Sequence, residues 1–210
     1  MMERIPCTKC GAMILPATAK ATGGLCMPCK QGFRKSLEES KRWREEQEKY
    51  KPTPQEEAQD KHWQWLVHQV HGTPSGWDQL SRANQLYFAA SLVNGEVYNG
   101  GFDQYFYNTS GDYYLDSVEG LTAIGAIRHL QLLEQAKECI FGKAKVPKDR
   151  LKRTTLLLER VTEGSPEDQR LNDLDKEFFT ESLNPLSDLL AQYGEKNHLF
   201  KDFEPSNTKQ

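Results

Sequence analysis

"LSRANQLYFAASLVNGEVYNGGFDQYFYNTSGD", residues 80–112, joins two helical periods through a glycine pair. Leu80, Ala83, Tyr87, Ala90 and Val93 recur at three- and four-residue intervals, which aligns apolar side chains along one face of an α-helix. Asn99, Gly100 and Gly101 then interrupt the pattern. Glycine reaches backbone angles that other residues avoid, so this triplet is expected to end one helix and permit a tight reversal. Phe102, Tyr105 and Phe106 restart the period at i, i+3 and i+4, and Asn108, Ser110 and Gly111 close it. A helix corner accounts for the glycines and the aromatics. It leaves Asn99, Asp103, Gln104, Tyr107 and Asn108 on or near the other face, where amides satisfy helix ends or meet a partner, and these five are candidate partner-binding residues.

The same period extends outward over residues 52–205. Trp63, Leu66, Val67 and Val70 form one stripe, and Leu121, Ile124, Ile127, Leu130 and Leu133 another. Leu151, Leu158 and Val161 form a third; Leu171, Leu174 and Phe178, then Leu186, Leu189, Leu190 and Tyr193, supply two more. Turn-forming stretches separate them: "HGTPSG" before Asp78, read as an N-cap, then "GKAKVPKD" and "EGSPED". "KPTPQEE" supplies the start signal, with Thr53 as cap and Glu56 and Glu57 at the positive end of the helix dipole. No alternating run suited to a strand follows position 52. The expected fold is mainly α, with an all-α domain of six to eight helices over residues 52–205 and a disordered tail at 206–210.

The front of the chain is built differently. In "CTKCGAMILPATAKATGGLCMPC", Cys7 and Cys10 are two residues apart, as are Cys26 and Cys29, with fifteen residues between the pairs. Each pair can fold as a knuckle whose thiolates aim at one point, and two knuckles complete a four-sulfur site suited to zinc. A disulfide or redox pair is the weaker reading, because the segment is too short for a thioredoxin-like unit. About thirty residues with so few apolar side chains cannot bury enough surface alone, so residues 1–31 are expected to be a zinc knuckle holding one structural Zn2+ per chain. Cys139 is expected to be an ordinary buried thiol. Residues 32–51 alternate acid and base at helical spacing and read as a solvated, charged helical linker.

The 210 residues carry a net charge of -3, but residues 1–51 hold 11 Lys and Arg against 6 Asp and Glu, whereas residues 52–210 hold 16 against 24. Opposite signs suit different partners. No apolar run has the length of a membrane span and no signal-peptide pattern opens the chain, so a cytoplasmic protein without membrane contact is expected. Catalytic signatures are missing: there is no nucleophile elbow, phosphate-binding loop, zinc-protease helix or dinucleotide fingerprint. His62, His68 and His71 lack a carboxylate at ligand spacing, and the His68–His71 pair is read as facing solvent. Asp103 and Glu96 could work as paired carboxylates only at a separation that sequence does not reveal. Lys30, Arg34, Lys35, Lys41, Arg42 and Arg44, with Trp43 among them, could contact phosphates and stack a base. The glutamates interleaved with them favour a salt-bridged spacer.

"NGGFDQYFYNTSGD" resembles the motif of the bacterial DNA mimic protein family, NGG-F-x-Q-[FY]-[FY]-x-N, at Asn99, Gly100, Gly101, Phe102, Gln104, Tyr105, Phe106 and Asn108. The resemblance spans residues 56–204. It implies a non-enzymatic acidic helical protein whose carboxylates imitate the phosphates of DNA and so occupy a DNA-binding protein. Glu163, Glu167, Asp168, Asp173 and Asp175, with Glu177 and Glu181, are the acidic candidates for that face. The basic run Lys143, Lys145, Lys148, Arg150, Lys152 and Arg153 interrupts a uniform negative field. The Cys-rich leader is similar to zinc-binding leaders found ahead of bacterial immunity-type domains. Together these features predict a protein-binding module that neutralises a toxin or a DNA-binding protein by occlusion and has no small-molecule substrate. The alternatives are a zinc-ribbon nucleic-acid-binding protein and an enzyme with its site at Asn99–Asn108.

Overall fold

A computed structural model describes residues 4–72, 74–180 and 185–203, the Gln47 side chain excepted. Glu181 and the expected tail at 206–210 lie outside the described residues. The chain divides into two compact units, Met1–Pro52 and Thr53–Gln210. Among the described residues no helix is long and apolar enough to cross a membrane.

In the first unit, β1 (Ile5–Pro6) and β2 (Met13–Ile14) form a two-stranded antiparallel ribbon, followed by α1 (Pro16–Thr22), α2 (Met27–Lys30) and α3 (Arg34–Lys49). Pro16 and Pro28 stand in the first turns of α1 and α2, where a missing N–H costs nothing. α3 has the solvated character its composition implies: Trp43 is 62% exposed, and Arg34 pairs with Glu38 one turn on.

The second unit contains α4 (Pro54–Gly72), α5 (Gly76–Gln79), α6 (Arg82–Tyr107), α7 (Tyr114–Ala123), α8 (Ile127–Phe141), α9 (Arg150–Arg160), α10 (Pro166–Thr180) and α11 (Leu186–Lys196), the all-α architecture that the periodicity predicts. α4 opens on a capping box, Thr53 Oγ1 accepting from the Glu56 N–H at 3.3 Å while Glu56 Oε2 accepts from the Thr53 N–H at 2.7 Å. α6 is the central element and touches α4, α7, α9, α10 and α11. Phe88, Ala89, Ala90, Val93, Val97, Phe102, Tyr105 and Phe106 along it are fully buried. Each large side chain so buried contributes about 1.5–3 kcal/mol.

Three readings need correction. Asp78 lies inside the short α5, and the cap of α6 is Ser81, whose hydroxyl accepts from the Asn84 N–H. The stripe from Leu121 to Leu133 is two helices, because Gly125 at φ 78° breaks it and leaves Ile127 exposed. In α9 the phase is shifted: Leu151 and Leu158 are 75% and 60% exposed, and Arg153 and Leu157 occupy the buried face. A guanidinium can take that place when backbone carbonyls and one carboxylate accept its donors, as described below.

His62 is fully buried in a cage of Trp65, Tyr87, Phe200 and Phe203, whereas His68 and His71 face solvent as expected. Its Nε2 meets Asn84 Oδ1 at 2.8 Å, which makes Nε2 the protonated nitrogen, and Nδ1 has no hydrogen-bond partner among the described residues. A second proton would sit among rings, so burial holds this imidazole below its ordinary range, the Asn84 contact offsetting part of the effect. Below about pH 6.5 the unfolded chain takes up a proton that the folded chain refuses. Stability present above that pH should therefore fall as pH drops, by up to about 1.4 kcal/mol per unit. Urea unfolding of the wild type and of His62→Gln at pH 7.5, 6.5 and 5.5 checks this: the difference between the two should shrink on acidification.

Candidate functional site

In the first unit the ribbon and α2 bring four thiols together. Gly11 at φ 72° turns the chain so that the Cys7 N–H donates to Ala12 O at 2.9 Å, and Cys26 stands at the N-terminal edge of α2 with Cys29 one turn on. The Sγ atoms of Cys7, Cys10, Cys26 and Cys29 all lie within 4.8 Å of one another, and none is in a disulfide. The Cys10 and Cys26 sulfurs are 3.7 Å apart, against about 3.8 Å for two corners of a tetrahedron of sulfurs about 2.3 Å from a shared centre. The Cys26 N–H donates to Cys7 Sγ at 3.2 Å and holds that thiol down to about 6; burial, then the neighbouring sulfurs, push Cys29 up to about 12. Four sulfurs at this spacing, with a backbone donor on one of them, fit a metal ion.

The second site is the corner in α6. Gly100 (φ −163°, ψ 19°) and Gly101 (φ 88°, ψ 178°) leave the helical conformation, and the helix restarts at Phe102. A side chain at Gly101 would run into Asp175 Oδ2, so the glycine admits a carboxylate from α10. Asp175 Oδ1 accepts from the Phe102 N–H at 2.9 Å, and Asp103 Oδ1 accepts from the Gln104 N–H at 2.7 Å. The restarted helix is thus capped from across the packing interface as well as locally.

Its polar face closes on Glu96. Gln104 Nε2 and Asn108 Nδ2 donate to Glu96 Oε2 at 2.7 and 2.9 Å, and Ser110 Oγ donates to Oε1 at 2.6 Å. The motif amides therefore satisfy a half-buried carboxylate, and Glu96 is engaged with them, not paired with Asp103. Arg153 seals the far end from α9. Its Nε donates to Phe106 O at 2.7 Å, Nη2 to Asn108 O and to Asp112 Oδ1 at 2.7 Å each, and Nη1 to Pro147 O at 2.8 Å and Lys148 O at 3.2 Å. Arg150 Nε donates to Tyr107 O at 3.1 Å, and its guanidinium lies over the Tyr107 ring.

Of the partner-binding candidates, Asn99, Asp103 and Tyr107 remain exposed, while Gln104 and Asn108 are turned to Glu96. Asp168 and Asp175, seven residues apart, share the face of α10 directed at the corner. Desolvation, and after it the charge of Asp103, pushes Asp175 up to about 6, the Phe102 N–H opposing. The Asp103 carboxyl, set against the corner, is raised by desolvation first and then by Asp168. None of the three makes an ion pair among the described residues. Glu167 instead faces Arg160 at 3.7 Å, Asp173 pairs with Lys176 at 3.0 Å, and Glu163 is exposed in the turn before α10. Two aromatics join the acidic face that sequence reasoning passed over: Tyr98 and Phe179, about half exposed, with ring centroids 5.3 Å apart. Their neighbours Val97 and Phe178 carry the buried period, and an aromatic one step out of phase is the signal that finds them.

Residues 78–198, more than half of the chain, match the family of DMP19-like proteins. No curated protein and no solved structure matches the chain.

Proposed function

We propose, because this chain belongs to the DMP19-like protein family, that its helical unit binds a DNA-binding protein by standing in for the phosphates of a duplex. One observation carries the reading: Asp103 and Asp175 meet at the glycine corner, Asp168 shares the same face of α10, and none of the three receives a cation among the described residues. Like charges held together weaken the fold, so the arrangement is useful only where a basic groove supplies the missing cations. Tyr98 and Phe179, half exposed and in ring contact on the two helices that carry Asp103 and Asp175, can fill apolar hollows between the partner's Lys and Arg side chains. The action is occlusion of the partner's DNA site, without catalysis. Capture of a toxin would instead identify the chain as its immunity protein.

We further propose that Cys7, Cys10, Cys26 and Cys29 hold one zinc ion. With four protein thiolates on the metal no position is left for substrate, so its contribution is folding energy for the first unit.

Affinity capture with the full chain, run on wild type and an Asp103→Asn/Asp175→Asn variant, tests the main reading. Asparagine at 175 keeps an acceptor for the Phe102 N–H while removing charge. Because the folded-state affinity of these carboxyls for protons exceeds the unfolded one, the charged pair costs stability as pH rises through about 4 to 6. The variant should be as stable as wild type or more so at pH 7.5, yet bind its partner at least about tenfold more weakly. Rising salt should slow wild-type association. Undiminished capture by the variant would end the proposal.

A further inference from the structure

At the other end of α8, a cleft of about 500 Å³ opens between α7, α8 and the loop 142–149. Lys137, Lys143, Lys145 and Lys148 surround it, with Tyr114 and Leu115 on its wall. In an acidic helical unit this is a local excess of positive charge. Lys143, Lys145 and Lys148 are exposed and pair with no carboxylate among the described residues. Asp112, the acid on the rim, is already engaged by Arg153 at 2.7 Å.

The loop that carries these lysines is held at both ends. Lys137 Nζ donates to Gly142 O at 2.8 Å, and the buried Arg153 guanidinium binds the carbonyls of Pro147 and Lys148. The ammonium groups therefore extend from an ordered backbone, which lowers the entropy lost when they converge on an anion. The opposite wall is apolar: Leu115 is 69% exposed, Val146 is half-buried, and the Tyr114 ring stacks obliquely on Phe106 at 5.9 Å. Burial, and then the charge of Glu134, pushes the Tyr114 hydroxyl up to about 12, so it stays protonated and can donate a hydrogen bond.

We infer that this cleft binds a small phosphorylated ligand of mononucleotide size, its phosphates among Lys143, Lys145 and Lys148 and its flat apolar part against Tyr114 and Leu115. Several ammonium groups around one space match a polyanion; a single carboxylate would leave most of them unanswered. The volume falls within the range of small-molecule sites. The inference does not depend on the acidic face, which involves other residues.

Titration of the full-length, metal-loaded chain with ADP, pyrophosphate and adenosine, followed by amide NMR, provides the test. ADP should give saturable shifts confined to residues 111–115 and 143–148, with pyrophosphate weaker and adenosine weakest. Lys143→Glu/Lys145→Glu, at exposed positions, should raise the Kd for ADP at least about tenfold. Leu115→Ser should weaken ADP and leave pyrophosphate unchanged. Absence of saturable shifts with ADP, or equal ADP affinity in the charge-reversed variant, overturns the inference. So does a short DNA duplex that binds these residues more tightly than ADP, since the occupant would then be nucleic acid.

Discussion

With the proposed zinc ion at the four thiolates, chelation, or replacing Cys26 with serine, is expected to unfold the first unit while the helical unit stays intact. The buried residues there are Cys7, Cys26 and Cys29, backed by the partly buried Cys10, Ala12, Ile14 and Leu25. Ile5, Met13, Leu15, Met27 and Phe33 are exposed, so among the described residues of this unit no large aliphatic or aromatic side chain is fully buried to supply the usual burial energy. Ordering each backbone residue costs about 1–2 kcal/mol. The proposed zinc on four thiolates would contribute about 10–16 kcal/mol to folding, which would make it the dominant interaction of this unit. Metal analysis should read about one equivalent in the wild type and near none in Cys26→Ser, with Cys139→Ser unchanged as control. Hydrogen exchange should show the Gly11, Lys30 and Gln31 amides losing protection on chelation while the Phe88–Val97 amides keep theirs. Retained protection in the first unit would show that it folds without the metal.

Where a residue type has one physical use, its role was legible in the sequence. Paired cysteines at knuckle spacing, a capping threonine followed by glutamates, and a glycine pair between two helical periods each predict a local geometry, and the structure contains all three. The misreadings occur where a side chain has two uses. Leu151 and Leu158 look like core and Arg153 like surface until five backbone and side-chain acceptors are brought to the guanidinium from α6, the turn after it and the loop 142–149. Those contacts span up to 47 residues, beyond the reach of any periodicity argument. Gln104 and Asn108 pose the same problem, because an amide that meets a partner and one that satisfies Glu96 are spelled alike. The convergence of Asp103 on Asp168 and Asp175 depends on how α10 lies across the glycine corner, a tertiary fact with no local signal.

Replacing Arg153 with methionine is expected to lower the stability of the helical unit by about 3–5 kcal/mol, the cost of breaking a buried charged network by removing one partner. The carbonyls of Phe106, Asn108, Pro147 and Lys148 and the Asp112 carboxylate would lose their shared donor, and methionine cannot admit water to the space the guanidinium leaves. At about 2–4 °C per kcal/mol for a chain of this size, Tm should fall by roughly 10 °C. Arg153→Lys should recover little, because one ammonium cannot bridge carbonyls on both sides of a fork. Arg150→Met, which removes an exposed neighbour with a single backbone bond, should cost about 1 kcal/mol or less. Urea unfolding of the three variants decides the matter, and an Arg153→Met protein within 1 kcal/mol of wild type would refute the assigned role. The consequence reaches the acidic face. Arg153 closes the far end of the short helix whose near end Asp175 caps, so its loss frees Asn108 from Glu96 and lets the corner relax. Partner capture should then weaken together with stability, whereas Asp103→Asn/Asp175→Asn weakens capture alone; the contrast separates residues that touch the partner from the residue that holds them in place.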